Sequence, residues 1–226
     1  MRWVRDRTGR FAQRPHYDLD ELDAECEALI LSFLVARNGQ VNFPIDTDDI
    51  VALLESLVKD FDPYADLSKD GTDVEGATAF LRGSLPSVKI SRHLHSPSLI
   101  NRLRTTLTHE LGHVHFHSCL YGLDVTDDLF EPAGSTFQPI CHRDSIIGAQ
   151  NADWMEWQAG YACGAFLMPA IDVRKLVRDA AASGPSSPPP VGSEMGEKLI
   201  GAVMHRYSVS HDAGRVRLLV LGHLSA

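Results

Sequence analysis

The sequence predicts an α+β protein, mainly helical, with a small β-sheet and a short helical, helix-turn-helix-like C-terminal segment. Three observations lead there. Apolar residues recur at helical spacing over much of the 226 positions. Only two short runs read as strands, ATAFL at 77–81 and SVKIS at 87–91. The tail divides at Ser208-Val209-Ser210 into two short helical stretches, 194–207 and 211–221. With 44% apolar and 23% charged residues, the chain has the composition of an ordinary globular protein and can bury one good core.

Taken in order, residues 1–17 form a basic arm carrying Arg2, Arg5, Arg7, Arg10 and Arg14. Such an arm either docks on an acidic partner or is a solvated, poorly ordered terminus, the commoner fate of a charge run. Leu19, Leu22, Leu29, Ile30, Phe33 and Leu34 predict a helix over 18–38, with Gly39 as its stop. A second helix over 47–59 starts at Asp46 or Thr47 with acidic residues in its first turn. Residues 60–73 read as a loop from their Asp, Pro and Gly content. RGSLP joins the two strands as a hairpin or short crossover, and one of the two strands is expected to offer an edge to an extended ligand. A long helix covers 98–117, residues 121–150 are irregular, and further helices cover 151–168 and 170–182. The main domain thus spans 18–182. A Pro/Ser-rich stretch at 183–193 has the composition of a flexible linker before the helical segment 194–226.

The formal net charge is −9. Binding over a whole acidic surface by counterion release is disfavoured, so direct nucleic-acid binding is not expected, although Arg206, Arg215 and Arg217 of the tail could face phosphate. No stretch approaches the roughly 20 apolar residues of a membrane span, and no apolar leader follows the first residues. The cysteines at 26, 119, 141 and 163 suggest no disulfide framework. A reduced, cytoplasmic location is the expectation.

The chemistry concentrates in T-H-E-L-G-H at 108–113. On a helix, positions i and i+4 share a face, so His109 and His113 can aim imidazole nitrogens at one metal ion, and Glu110 sits beside it as a base. Ile100, Leu103, Leu107, Leu111 and Val114 fall on the opposite face, and Gly112 leaves room for another element. Catalytic zinc takes three protein ligands. His117 stands about 12 Å from His109 along a straight helix, too far for both to bind one ion. The better third ligand is Glu156, on a helix lined by Ala159, Gly160, Ala162, Cys163, Gly164 and Ala165, which let two backbones approach closely. Cys163 reads as core, and His117 as a structural hydrogen-bonding group. His115, His117, Cys119, Cys141 and His142 match no zinc pattern. Tyr161, His142 and His115 remain open as oxyanion donors.

Several segments resemble the ImmA/IrrE family of zinc metallo-endopeptidases: P-I-D-T-D-D-I, V-E-G-A-T-A-F, L-R-T-T-L-T-H-E-L-G-H-V-H-F-H, E-W-Q-A-G-Y-A-C-G-A-F-L-M-P and the tail S-V-S-H-D-A-G-R-V-R-L-L-V-L-G. The resemblance covers most of the chain from about residue 43. It implies a zincin-like domain, Zn2+ on His109, His113 and Glu156, and Glu110 as general base. It also implies a helix-turn-helix repressor as protein substrate, cut to release stress-response or mobile-element genes. The alternative expectation is a metal-dependent regulator that binds a repressor or DNA without proteolysis. Gly160 departs from the family, which often has Asn there, and the 121–150 loop and the Arg-rich arm are additional.

Overall fold

The computed structural model describes residues 1–71, 73–121, 136–137, 140–142, 153–180 and 187–226. These form an α+β arrangement of helices with small sheets. They group into two compact units, one of Met1–Leu22 with Thr47–Cys163, the other of Asp23–Asp46 with Gly164–Ala226. Among the described residues, no helix is long and apolar enough to cross a membrane.

The first unit begins with the Arg-rich arm, which is folded. Strands β1 (Arg2–Arg5) and β2 (Gln13–His16) pair antiparallel, with Trp3 opposite Pro15. The buried Asp6 carboxylate organises the connection by accepting from the Thr8 amide (2.9 Å), the Thr8 hydroxyl and the Phe11 amide (3.1 Å). Arg10 closes a two-pronged contact on Asp153, at 2.6 and 2.9 Å. That partner lies 143 residues away, so a local reading of the arm as a solvated charge run could not have found it.

The main sheet has the order β3-β5-β4-β6, with β7 also on β4. Its strands are β3 (Asp60–Ala65), β4 (Val74–Leu81), β5 (Ser87–Ser91), β6 (Thr136–Phe137) and β7 (Ile140–His142). Residues 60–65 are therefore strand, where a loop was expected. Asp60, Asp62 and Pro63 are poor strand formers, but β3 pairs, in parallel, with β5 alone among the described strands. An edge tolerates Pro, and exposed Asp60, Asp62 and Tyr64 alternate with the more buried Phe61, Pro63 and Ala65. β4 and β5 are antiparallel, so RGSLP closes a hairpin. The expectation that one of them offers an open edge is corrected: β5 lies between β3 and β4, and β4 is flanked by β5 on one side and by β6 and β7 on the other.

Helix α2 (Thr47–Leu57) and β4 both pack on α3 (Ile100–His117). Ile50, Leu53, Leu54, Val88, Ile90, Leu103, Leu107, Leu111 and Val114 are buried in this unit. Ile100, expected on the same stripe, is 43% exposed at the first residue of its helix. Helix α4 (Trp154–Leu167) approaches α3 closely. A Cβ on Gly112 would stand 3.0 Å from Ala159 Cα and 3.1 Å from Ala162 Cβ, so glycine and alanine are what this approach requires.

The second unit holds most of α1 (Leu19–Asn38), then α5 (Ala170–Ala180), α6 (Glu194–Tyr207) and α7 (His211–Val220). Ser193 and Ser210 cap α6 and α7 by accepting from the amides of Gly196 and Ala213. Ser208, left-handed at φ 52°, turns the chain between them. Ile30, Leu34, Phe166, Val173, Leu199, Val203, Tyr207 and Leu218 fill the core. The later part of the expected linker is tied down: Ser225 donates to the Pro189 carbonyl at 3.0 Å, and Val191 donates to the Ser225 carbonyl at 2.9 Å.

Candidate metal centre

Helix α3 carries His109 and His113 one turn apart, and α4 carries Glu156 in its first turn. The Nε2 atoms of His109 and His113 are 3.1 Å apart. Glu156 Oε2 lies 3.2 Å from His109 Nε2, and Oε1 lies 3.3 Å from His113 Nε2. Three residues from two helices thus bring their donor atoms together as a triad that could hold a metal ion. Both histidines are fully buried, while the Glu156 side chain keeps 15% of its surface exposed. That side leaves the cluster open to a further ligand.

The electrostatics favour a cation. Burial pushes the Glu156 carboxyl up, but hydrogen-bonding contact with His109 and His113 outweighs it and holds the group well below the usual carboxylate range. Burial pushes His113 down, yet the same Glu156 contact outweighs that and raises its affinity for a proton. Groups that compete for a proton in this way offer the donor set that a divalent cation takes in its place.

Glu110, the next residue to His109, is not part of the triad. It is completely buried, and its Oε2 accepts a hydrogen bond from the Thr78 hydroxyl of β4 at 2.5 Å. Oε1 has no hydrogen-bond partner among the described residues. Burial pushes this carboxyl above its ordinary value, and the nearby His113 and His109 and the Thr78 hydroxyl oppose the shift without cancelling it. Oε1 rests against Gly76: a Cβ there would come within 2.4 Å of it. Any larger residue at 76 therefore displaces the carboxylate.

The remaining candidates fall as follows. His117 is outside the triad, as expected. Its Nδ1 lies 3.1 Å from His113 Nδ1, and its Nε2 lies 3.1 Å from Gln158 Oε1. Burial, then the neighbouring His113, hold His117 well below its ordinary value, so its ring is neutral. Cys163 is core: Thr108 donates to its sulfur at 3.4 Å, and burial pushes its thiol up to about 11. Cys119, exposed at the end of α3, is a free thiol. Of the three oxyanion candidates, Tyr161 directs its hydroxyl to the Leu19 carbonyl at 3.4 Å. It also follows Glu156 by five residues, about 140° around the helix. His115 packs edge-on against Phe116. The side chains of Cys141 and His142 lie outside the described residues, as does most of 121–150.

Gly76, Thr78 and Gln158 were not singled out from the sequence. Their roles arise from which strand and helix lie against α3, and no local pattern encodes that. No protein-family model matches the chain, and no curated protein matches it.

Proposed function

We propose that the chain is a zinc-dependent endopeptidase of zincin type, with Zn2+ held by His109, His113 and Glu156 and with Glu110 as general base. The reading rests on one observation: two imidazole nitrogens 3.1 Å apart, each with an oxygen of the Glu156 carboxylate at 3.2–3.3 Å, beside a buried, half-satisfied carboxylate on the residue next to the first of them. Tetrahedral zinc with bonds of about 2.0–2.1 Å requires donors roughly 3.3 Å apart, close to the His109–His113 separation and to the distance from each imidazole to its nearer carboxylate oxygen. Two imidazoles and one carboxylate are also the donor types that catalytic zinc accepts.

When bound, zinc supplies a Lewis acid and acidifies water at neutral pH. The protein's own groups do the rest. Thr78 fixes one oxygen of Glu110, so the other is the oxygen that takes the proton of the attacking water and returns it to the leaving amine. A carboxyl pushed up by burial suits both halves of that cycle, since it holds a proton more readily than an exposed glutamate. The substrate class follows from the resemblance: a helix-turn-helix repressor, cut once in an exposed linker, which leaves a monomer contacting one half-site in place of two.

A metal-dependent regulator that binds without cutting is favoured by one observation. β4, the strand against Glu110, pairs with β5 on one side and, over Val74–Ala77 and Phe80–Leu81, with β7 and β6 on the other, so among the described residues little of its edge is open to an extended substrate. A DNA-binding reading loses support from the tail. Arg217 is buried in an ion pair with Asp23 at 2.7 Å, Arg206 is clasped by Asp172, and Arg215 lies 3.7 Å from Asp212.

Two measurements decide. Elemental analysis is expected to find one zinc per chain, mostly lost in Glu156→Ala and retained in His117→Ala; the reverse pattern refutes the ligand set. Incubation with a candidate helix-turn-helix repressor, with and without chelator, is expected to yield two fragments by mass spectrometry. Casein degraded equally fast at many sites would overturn the substrate assignment, and tight binding without cleavage would favour the regulator.

A further inference from the structure

A chain of hydrogen bonds runs outward from His113 to the N-terminal hairpin, and each link constrains the next. The Gln158 side-chain amide donates through Nε2 to the Pro15 carbonyl at 3.2 Å. A carbonyl only accepts, so the NH2 end of the amide must face it. Oε1 is thereby turned toward His117, 3.1 Å from Nε2. An amide oxygen only accepts, so His117 carries its proton on Nε2. His117 Nδ1 is then a bare lone pair, and it faces His113 Nδ1 at 3.1 Å. The hydrogen bond between those two nitrogens needs one donor, which must be His113 Nδ1–H. With Nδ1 occupied in this way, Nε2 is the His113 nitrogen that faces His109 Nε2 and Glu156, and the one that a metal ion would take.

From this geometry we infer that Gln158 and His117 are positioning residues that, together with the Pro15 carbonyl, fix a proton on His113 Nδ1 and so present its Nε2 to the metal. The inference rests on the zinc reading above for its purpose, but the tautomers themselves follow from the hydrogen bonds. Gln158 and His117 are each no more than 1% exposed, so water does not compete for these links. His109 has no such relay: its Nδ1 is buried without a hydrogen-bond partner among the described residues. The inference also gives the basic arm a task. Arg10 grips Asp153, and the guanidinium groups of Arg10 and Arg14 lie 5.6 and 5.1 Å from the Trp154 ring. These contacts hold β2, and with it the Pro15 carbonyl, against the first turns of α4.

The test uses the full chain, chelated and then titrated with Zn2+ alone. Long-range 15N–1H correlation spectra assign each ring nitrogen as protonated or bare. The wild type is expected to show His117 protonated on Nε2 and His113 on Nδ1, with His113 Nε2 shifting on Zn2+ addition. Gln158→Leu is expected to mix the His117 tautomers and weaken Zn2+ binding about tenfold, the low end for an outer-shell partner. Gln158→Glu, which keeps an acceptor for His117 Nε2, is expected to restore the single tautomer. A wild-type His117 protonated on Nδ1 overturns the inference, as does a folded Gln158→Leu with unchanged tautomers and Zn2+ affinity. Failure of the zinc reading looks different: the tautomers appear as assigned, yet the wild type takes up no Zn2+.

Discussion

The two compact units treat buried charge in opposite ways. In the C-terminal unit each buried ion has a partner of opposite sign. Arg217 meets Asp23 at 2.7 Å and also donates to the Met168 carbonyl at 3.0 Å. Asp172 accepts from Arg206 and from the Tyr207 hydroxyl at 2.7 Å. In the metal-site unit Glu75 is matched by Arg102, yet Glu110 has a hydroxyl on one oxygen and no partner on the other among the described residues. Beside it, two imidazoles and a carboxylate crowd to within 3.3 Å. Matched pairs hold a fold together; an unmatched cluster is tolerated where something else is to be bound or a proton is to be moved.

The contrast can be broken by experiment, beginning with the largest effect. Glu110→Gln should lower peptidase turnover by ~10²–10⁴-fold or more while the zinc content stays at one per chain. Near-native turnover would place Glu110 with the structural charges. Gly76→Ala should lower turnover by about 10²-fold through displacement of the carboxylate, the loss typical of a misplacement near 1 Å, again with zinc retained. On the other side of the comparison, Arg217→Ala removes the guanidinium that faces the buried Asp23 and should cost ~3–5 kcal/mol in urea unfolding. The double change Arg217→Met with Asp23→Leu should recover most of that. A single variant as stable as wild type would show that the pair contributes nothing.

The smallest effect is one of sign. In metal-free protein the Glu110 carboxyl is raised above its ordinary 4.5. Its contribution is therefore most favourable below pH 4.5 and is lost as pH rises through the folded value. For Asp172, burial pushes up, but Arg206 and Tyr207 outweigh it and hold the carboxyl below its ordinary 3.8. Its contribution is present above pH 3.8 and is lost as pH falls through the folded value. Urea unfolding from about pH 3 to pH 7 should show opposite changes in slope for Glu110→Gln and Asp172→Asn. Equal slopes would dissolve the distinction between the units.

Much of the candidate metal site was legible because it is local. His109, Glu110 and His113 declare themselves by helical spacing. Glu156 was found through the run of small residues that Gly112 meets at Ala159 and Ala162. The tail helices were equally legible as two stretches divided at Ser208-Val209-Ser210. What escaped depends on distant partners. The hairpin of residues 2–16 has no alternating apolar pattern, and its register rests on Asp6 in the turn and on Asp153 far along the chain. β3 was masked by Pro63 and its aspartates, which only an edge position excuses. Gly76, Thr78 and Gln158 carry no signature of their own, since what they touch is decided by the packing of β4 and α4 on α3.

The span between Pro15 and Gln158 has a consequence for synthesis. The two are 143 residues apart in the chain, an interval of roughly 7–30 s at ~5–20 residues per second on the ribosome. His109 and His113 are translated before Glu156, and the carbonyl that steadies the relay waits longest of all for its partner. Between His113 and Glu156 the nascent polypeptide holds the base and two donors but neither the third donor nor the finished proton arrangement. On the proposed function, a hydrolase assembled in this order would be inert while it is being made and competent only after α4 has emerged and closed on the hairpin.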